Sequence, residues 1–326
     1  MTWVERAAEV ERSVRSRYVR RLWGVPGTLL GRPGGVSWNY WWQAHLLDCL
    51  VDAQSRAPEA ERARAIKALV RGIHARNLGA WTNSYYDDIA WLGLALLRSG
   101  VPAERALTAI TRRLRSGWSD HAGGGIWWRR GDTYKNVPAN GPAAILLARR
   151  GETGPARSML EWMDRLLVDP ATNLLWDGLY VRADGSVERV VETFYTYCQG
   201  VFLGACVELS KPDLAARTVR AVRAHLAVDG VLPGCDGGDG GLFAGILARY
   251  LALSAVRMPA AAGDLAGSLV LTSAEAAWHA RRPGPTLGTD WSTPDDHRFD
   301  NEMSVQLSGW MLIEAASRLE RATMAV

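Results

Sequence analysis

Twelve stretches that read as helices alternate between amphipathic and nearly all-apolar character, and the apolar ones start at intervals of about 45 to 62 residues. Together these features predict an all-α chain closed into an (α/α)6 barrel of six inner and six outer helices. A helix that is apolar on every side must be buried, so six of them ringed by six amphipathic partners is the natural closure. The whole chain, residues 1–326, is read as one such domain.

The elements follow in order. Trp3 to Arg21 is dominated by Arg, Glu and Ala with its apolar residues on one stripe, which makes it an outer helix. Trp38 to Gln54 opens on Trp38, Asn39, Tyr40, Trp41, Trp42 and Gln43 and is mostly apolar beyond that turn, the first inner helix. Glu59 to Arg76 sets Ile66, Leu69, Val70 and Ile73 on one face against Glu61, Arg62, Arg64, Lys67 and Arg71 on the other. Asn83 to Leu97 is apolar again, and Pro102 to Arg115 is amphipathic with a proline suited to a first turn. Inner segments continue at Lys135 to Arg149, Thr193 to Leu209, Asp239 to Ser254 and Asn301 to Arg318. Their outer partners are Gly154 to Leu167, Pro212 to Val228 and Ala261 to Ala280. Of the connections, Trp118 to Tyr134 and Val168 to Glu192 are long enough for a β-hairpin, and Asp184-Gly185 is a hairpin-turn pair.

Composition narrows the function classes. Hydrophobic residues at 48% with 22% charged residues fit a folded chain rather than a disordered one. No apolar run approaches the ~18 to 20 residues of a membrane span. A net charge of +4, not gathered into basic blocks with interleaved aromatics, argues against a nucleic-acid partner. The first 21 residues lack the apolar core of a secretory signal. A cytoplasmic location is therefore expected, with export of a form that has lost its leader as the alternative. Cys49, Cys198, Cys206 and Cys235 have neither zinc-site spacing nor the density of a disulfide scaffold, and read as reduced thiols. The six histidines are scattered without a helical pair, so no metal and no cofactor is expected. Oligomeric state is not legible.

The chemistry concentrates at Asp87 and Asp88, two adjacent carboxylates at the start of a segment too apolar to face water. They either line a wet cavity or begin the helix; a cap explains one Asp readily and two, beside Tyr85, Tyr86 and Trp91, less well. Successive inner helices of such a barrel run the same way, so their N-terminal ends share one face. That face collects Trp38, Asn39 and Tyr40; Tyr86, Asp87 and Asp88; Lys135, Asn136 and Asn140; Tyr195, Tyr197 and Gln199; Asp239; and Asn301. The chain has 15 Trp against 4 Phe, and Trp38, Trp127 and Trp128 fall at helix starts or in loops, where an indole face suits a sugar ring. Aromatics and amides around a carboxylate pair describe a carbohydrate site better than a nucleotide site. The glycine runs at 123–125 and 237–241 neither follow a strand nor carry the Lys-Ser or Lys-Thr of a phosphate loop. Asp295 and Asp296 read as solvated turn residues after Pro294, and Asp177 as a turn. Asn136, Asn140 and Gln199 either face substrate or satisfy buried backbone groups.

Four motifs, in this order and spacing, carry a resemblance. They are Tyr86-Asp87-Asp88-Ile89-Ala90-Trp91-Leu92; Gly124-Gly125-Ile126-Trp127-Trp128 before Tyr134-Lys135-Asn136 and Ala139-Asn140; Trp176-Asp177-Gly178; and Tyr195-Thr196-Tyr197 leading to Gln199-Gly200-Val201-Phe202-Leu203-Gly204. The chain resembles the family 76 glycoside hydrolases, the endo-α-1,6-mannanases, over nearly its whole length. The resemblance implies an (α/α)6 barrel that cleaves α-1,6-linked mannan with retention, Asp87 acting as nucleophile and Asp88 as acid/base. It implies a mannan or a mannose-containing cell-envelope glycan as partner and makes Asp177 a contact to a sugar hydroxyl. Trp38, Asn39, Tyr40, Tyr86, Trp127, Trp128, Asn136, Asn140, Tyr197 and Gln199 complete the expected substrate surface. Cys198 stands where the family usually has Asn. The residues alone favour retention, since neighbouring helical carboxyls suit the ~5 to 5.5 Å of retaining pairs, but they do not say which Asp is the acid. The sequence is also compatible with two alternatives, another (α/α)6 carbohydrate enzyme such as an epimerase or transglycosylase, and a non-catalytic glycan-binding protein.

Overall fold

The structure is a computed structural model that describes residues 1–32, 38–234, 236–292 and 298–324. Cys235, Asp295, Asp296 and His297 lie outside the described residues. Six inner helices, α2 (Tyr40–Arg56), α4 (Tyr86–Arg98), α6 (Val137–Arg149), α8 (Thr196–Glu208), α10 (Phe243–Arg257) and α12 (Met303–Met324), alternate with six outer ones. The outer helices are α1 (Trp3–Tyr18), α3 (Ala60–Arg76), α5 (Glu104–Arg115), α7 (Thr153–Leu166), α9 (Pro212–His225) and α11 (Ala260–Ala280). Each inner helix packs on the next in chain order, and α12 returns to α2, which closes the predicted (α/α)6 barrel.

Local chemistry accounts for the ends. Thr2 and Glu5 form a capping box before α1. Asn136 accepts the Ala139 N–H at 3.1 Å, and Pro138 occupies the first turn of α6. Pro212 opens α9 in the same way. The inner helices begin about two to four residues later than the sequence pattern implies, because the mouth residues belong to the loops that lead in. Asp239 sits in a 3-10 turn (Gly238–Leu242) before α10, and Asn301 precedes α12. Small residues let the inner helices approach closely. A Cβ at Gly200 would stand 2.9 Å from the Leu247 Cα, and one at Gly245 would stand 2.6 Å from the Ser308 Cα. One stretch, Gly238–Arg257, is long and apolar enough to cross a bilayer by length and composition, with a mean hydropathy of 1.3. Asp239, Arg249 and Arg257 break it into shorter apolar runs in the sequence, and 72% of its apolar 18-residue window is buried in the barrel.

Two short strands, β1 (Val19–Arg20) and β2 (Leu30–Gly31), pair antiparallel in the connection that follows α1. The expected hairpin forms. β4 (Gly178–Val181) and β5 (Val187–Val191) pair antiparallel around Asp184-Gly185, where Gly185 takes a φ of 86°. A third strand, β3 (Tyr134–Asn136), pairs with β4. The loop from Trp118 to Tyr134 forms isolated bridges, Trp118 to Ile126 and Trp127 to Lys135, rather than a hairpin of its own.

The mouth loops are fastened by a recurring side-chain contact. The fourth residue of α2, α6, α8 and α12 is a carboxamide, and each one grips the peptide of a single residue in the loop before it. Gln43 accepts the Gly31 N–H at 2.7 Å and donates to its carbonyl at 2.8 Å. Asn140 does the same to Ile126 at 2.8 and 3.0 Å, Gln199 to Leu175 at 2.8 and 2.8 Å, and Gln306 to Leu287 at 3.2 and 2.7 Å. All four carboxamides are buried. Removing one leaves a buried N–H and a buried C=O unsatisfied, at ~1 to 3 kcal/mol each. Asn140→Ala and Gln306→Leu are therefore expected to lower unfolding stability by about 2 to 4 kcal/mol in urea titrations. A loss within ~0.5 kcal/mol, the range of a neutral surface change, would mean that water replaces the contact.

Candidate active site

The mouth holds a groove of about 1040 Å³. Asp87 and Asp88 enter it from the first turn of α4, both partly buried. The helix start is held from outside, with the Tyr86 N–H donating to the Trp128 carbonyl at 2.9 Å and the Arg130 N–H to the Ser84 carbonyl at 2.8 Å. Asp87 accepts two N–H bonds, one oxygen from the Asp88 backbone at 2.8 Å and the other from the Trp128 indole at 2.9 Å. Asp88 accepts one, from the Asn83 amide at 2.6 Å.

These environments set the protonation. Burial raises the Asp87 pKa to about 7, against the opposing pull of the Asp88 backbone N–H and the Trp128 indole. Burial raises Asp88 as well, the negative charge of Asp87 raises it further, and the Asn83 bond only partly offsets this. Asp239, a third carboxylate in the groove, raises both. One of its oxygens accepts the indole N–H groups of Trp41 at 3.0 Å and Trp42 at 2.8 Å.

The remaining walls come from the strands and from neighbouring inner helices. Trp38, Asn39 and Tyr40 line one side, where the Tyr40 hydroxyl donates to the Trp81 carbonyl at 2.9 Å. Trp128, Asn136 and Asp177 line the other. Asp177 accepts the Tyr134 hydroxyl and, at 3.5 Å, the thiol of the fully buried Cys198, while burial raises its pKa. Cys198 thus lies beneath Asp177 and is not part of the groove lining. Tyr197 stacks on Phe243 with ring centroids 3.8 Å apart and planes 3° from parallel.

Four expected substrate contacts lie elsewhere. Tyr86 turns inward, where a Cβ on Gly117 would stand 2.7 Å from its ring, and is 4% exposed. Trp127 packs edge-on to His121 and under the Lys135 ammonium, 4.5 Å from its ring centre. Asn140 and Gln199 are the loop clamps described above, so their amides are consumed by backbone. Lys135, placed at the mouth by the helix pattern, is fully buried and donates to the carbonyls of Ser119, His121 and Gly124 at 2.9, 2.7 and 2.6 Å. Further wall residues, beyond the expected contacts, are Asn83, Trp91, Tyr134, Tyr180, Arg189 and Phe243. Strand alternation carried the signal for one of them. If Asn136 faces the groove from β3, then Tyr134, two residues back, faces it too and Lys135 faces away.

Two aspartates that cannot both ionise cheaply, set among aromatic faces and amides, are the equipment of a glycoside hydrolase, where one carboxyl delivers a proton while the other acts as an anion. The chain belongs to glycosyl hydrolase family 76, whose profile matches residues 2–325. Among solved structures it is similar to the GH76A α-1,6-mannanase of Salegentibacter sp. HEL1_6, at 31% identity and a TM-score of 0.87 over 96% of this chain and 98% of that one. An inactive variant of that enzyme, with two consecutive aspartates replaced by asparagine and α-1,6-mannotriose bound, matches at 30% identity and 0.88 over 97% and 99%. A protein from Listeria innocua matches at 27% identity and 0.84, over 98% of each chain. No curated protein matches in sequence.

Two expectations follow. A carboxyl whose pKa is raised by folding binds protons more tightly in the folded state, so its stability contribution is complete at low pH. That contribution is lost as pH rises from the ordinary value of 3.8 through about 7. Asp87→Asn and Asp88→Asn should accordingly melt about 2 °C or more above the unmodified protein at pH 8 and lose this advantage at pH 4, in calorimetric scans. Equal melting temperatures at pH 8 would show that the pair is not strained by its burial. Trp128→Phe, which deletes one hydrogen bond to a carboxylate, should lower kcat about tenfold or more, whereas Trp127→Ala should lower stability and leave KM unchanged. Steady-state kinetics on both variants separates the two tryptophans.

Proposed function

We propose that this protein is a retaining endo-α-1,6-mannanase in which Asp87 is the nucleophile and Asp88 the acid/base. The observation that carries the role assignment is the unequal solvation of the two carboxylates. Asp87 accepts two N–H bonds and Asp88 one, so a single negative charge is better accommodated on Asp87. Asp88 then holds the proton. In the first step it protonates the glycosidic oxygen as Asp87 attacks the anomeric carbon, giving a glycosyl ester and a free reducing-end fragment. In the second it takes a proton from water, which displaces Asp87 at the same carbon and restores the configuration. Trp128 and the Asp88 backbone N–H hold both Asp87 oxygens, and Asp239 raises the proton affinity of the pair.

The substrate reading rests on the relatives. The Salegentibacter enzyme is an α-1,6-mannanase, and its variant without two consecutive aspartates is inactive and binds α-1,6-mannotriose. An open groove walled by Trp38, Tyr197 and Trp128 suits several successive sugars of a mannan or of a mannose-containing envelope glycan, which fits internal cleavage.

Leaving-group chemistry tests the roles. On an activated aryl mannoside or mannosyl fluoride, Asp88→Ala should keep substantial glycosylation and be rescued by azide as a glycosyl azide of retained α configuration. Asp87→Ala should lose glycosylation, and any azide product should be the inverted β anomer. The opposite stereochemistries would exchange the roles, and inverted sugars from the unmodified enzyme would rule out a double displacement.

A further inference from the structure

We propose that the outer face of the barrel between α1 and α3 docks on a bilayer carrying anionic headgroups. A cleft between α1 and α3 is lined by Arg12, Arg15, Arg21, Arg64, Lys67 and Arg71, with Glu61 as its one carboxylate. Its net positive charge exceeds the +4 of the whole chain, so the rest of the molecule is close to neutral or slightly acidic. Arg15 is committed to Glu11 and Glu61, at 3.1 and 3.5 Å. Arg12, Arg21, Arg64 and Lys67 are exposed and have no carboxylate partner among the described residues.

The turn at the end of this cleft supplies apolar contact. Leu22 is buried and anchors it, whereas Trp23 is 69% and Val25 47% exposed. Trp23 holds a left-handed φ of 48°, a conformation that L residues avoid, so its outward presentation is imposed by the turn. The turn is fastened at several points. The Val25 N–H donates to the Leu22 carbonyl at 2.8 Å, Arg71 donates to the Gly27 carbonyl at 2.8 Å, and the Leu29 N–H donates to Ala68 at 2.9 Å. Beneath it, a Cβ on Gly72 would lie 1.9 Å from the Leu29 carbonyl oxygen, so the loop sits directly on α3.

An exposed indole and valine beside a concentrated basic cleft match the two demands of a lipid surface, an amphipathic ring at headgroup depth and cations within a Debye length of the phosphates. A nucleic acid or a soluble polyanion would use the cations and leave Val25 without purpose. The turn lies in the connection from α1 to α2, so docking through it would hold the protein at a surface that bears glycans.

The test is co-sedimentation of the full chain with vesicles of phosphatidylcholine alone and of phosphatidylcholine with phosphatidylglycerol, at low and physiological salt. Binding to the anionic vesicles should be about tenfold or more tighter and should weaken with salt. Trp23→Ala and the double variant Arg64→Glu/Lys67→Glu should each lose most of it while keeping the melting temperature and the hydrolysis of a short soluble mannooligosaccharide. Equal partition onto both vesicle types overturns the proposal. So does unchanged binding by Trp23→Ala, or retention on heparin or duplex DNA with none on vesicles. The vesicle-binding and melting readings do not depend on the enzyme assignment; the hydrolysis control alone does.

Discussion

The mouth of the barrel depends on how its loops meet their backbone hydrogen-bonding needs. Long connections drawn over a closed ring of helices bury peptide groups that have no strand or helix to pair with, and each such group left alone is costly. The carboxamide at the fourth position of α2, α6, α8 and α12 answers this. Its N–H and C=O match the C=O and N–H of one loop peptide, as a neighbouring strand would. The loops that carry the groove are thereby fixed to the rigid part of the fold.

α4 is held differently, and it is the helix that carries the carboxylate pair. Its fourth residue is Ile89, and its mouth is secured by backbone bonds to the loop of residues 128–130. That loop also delivers the Trp128 indole to Asp87. Position and charge are therefore set by the same segment, since the loop that fixes the helix start also supplies the donor that favours one carboxylate as the anion. The clamp at Ile126 holds the chain just before this segment, and Lys135 ties the carbonyls of Ser119, His121 and Gly124 further upstream.

Much of the fold was legible because burial is written directly into composition. Six helices without a polar face have only one way to hide, and Asp184-Gly185 names its own turn. The aspartates were legible for the opposite reason, as charge where the pattern forbids it. What failed was direction. Periodicity placed Lys135, Asn140 and Gln199 at the mouth but could not say whether an amide faces sugar or peptide, because a buried carboxamide is equally at home in either setting. Tyr86 and Trp127 were misplaced by adjacency. Each neighbours a groove residue in sequence and points away from it, Tyr86 on the helix and Trp127 across an extended segment. Arg189 and Tyr180 arrive on a hairpin whose register no helical pattern encodes.

The clamps also bear on how such a groove can change over evolutionary time. The gripping residue is always fourth in its helix, yet the peptide it holds lies 12, 14, 24 or 19 residues earlier in the chain. The intervening chain differs twofold in length while the attachment geometry stays the same, and lengthening a loop between fixed ends adds little entropic cost, about 0.6 kcal/mol per doubling. Among the four clamped helices the anchorage is thus constant while the insert varies in length. An insert between a gripped peptide and its helix can therefore change length with the attachment kept, provided it spares the β4 residues that pair with β3 at the start of α6, and a groove wall can be rebuilt through insertions and deletions.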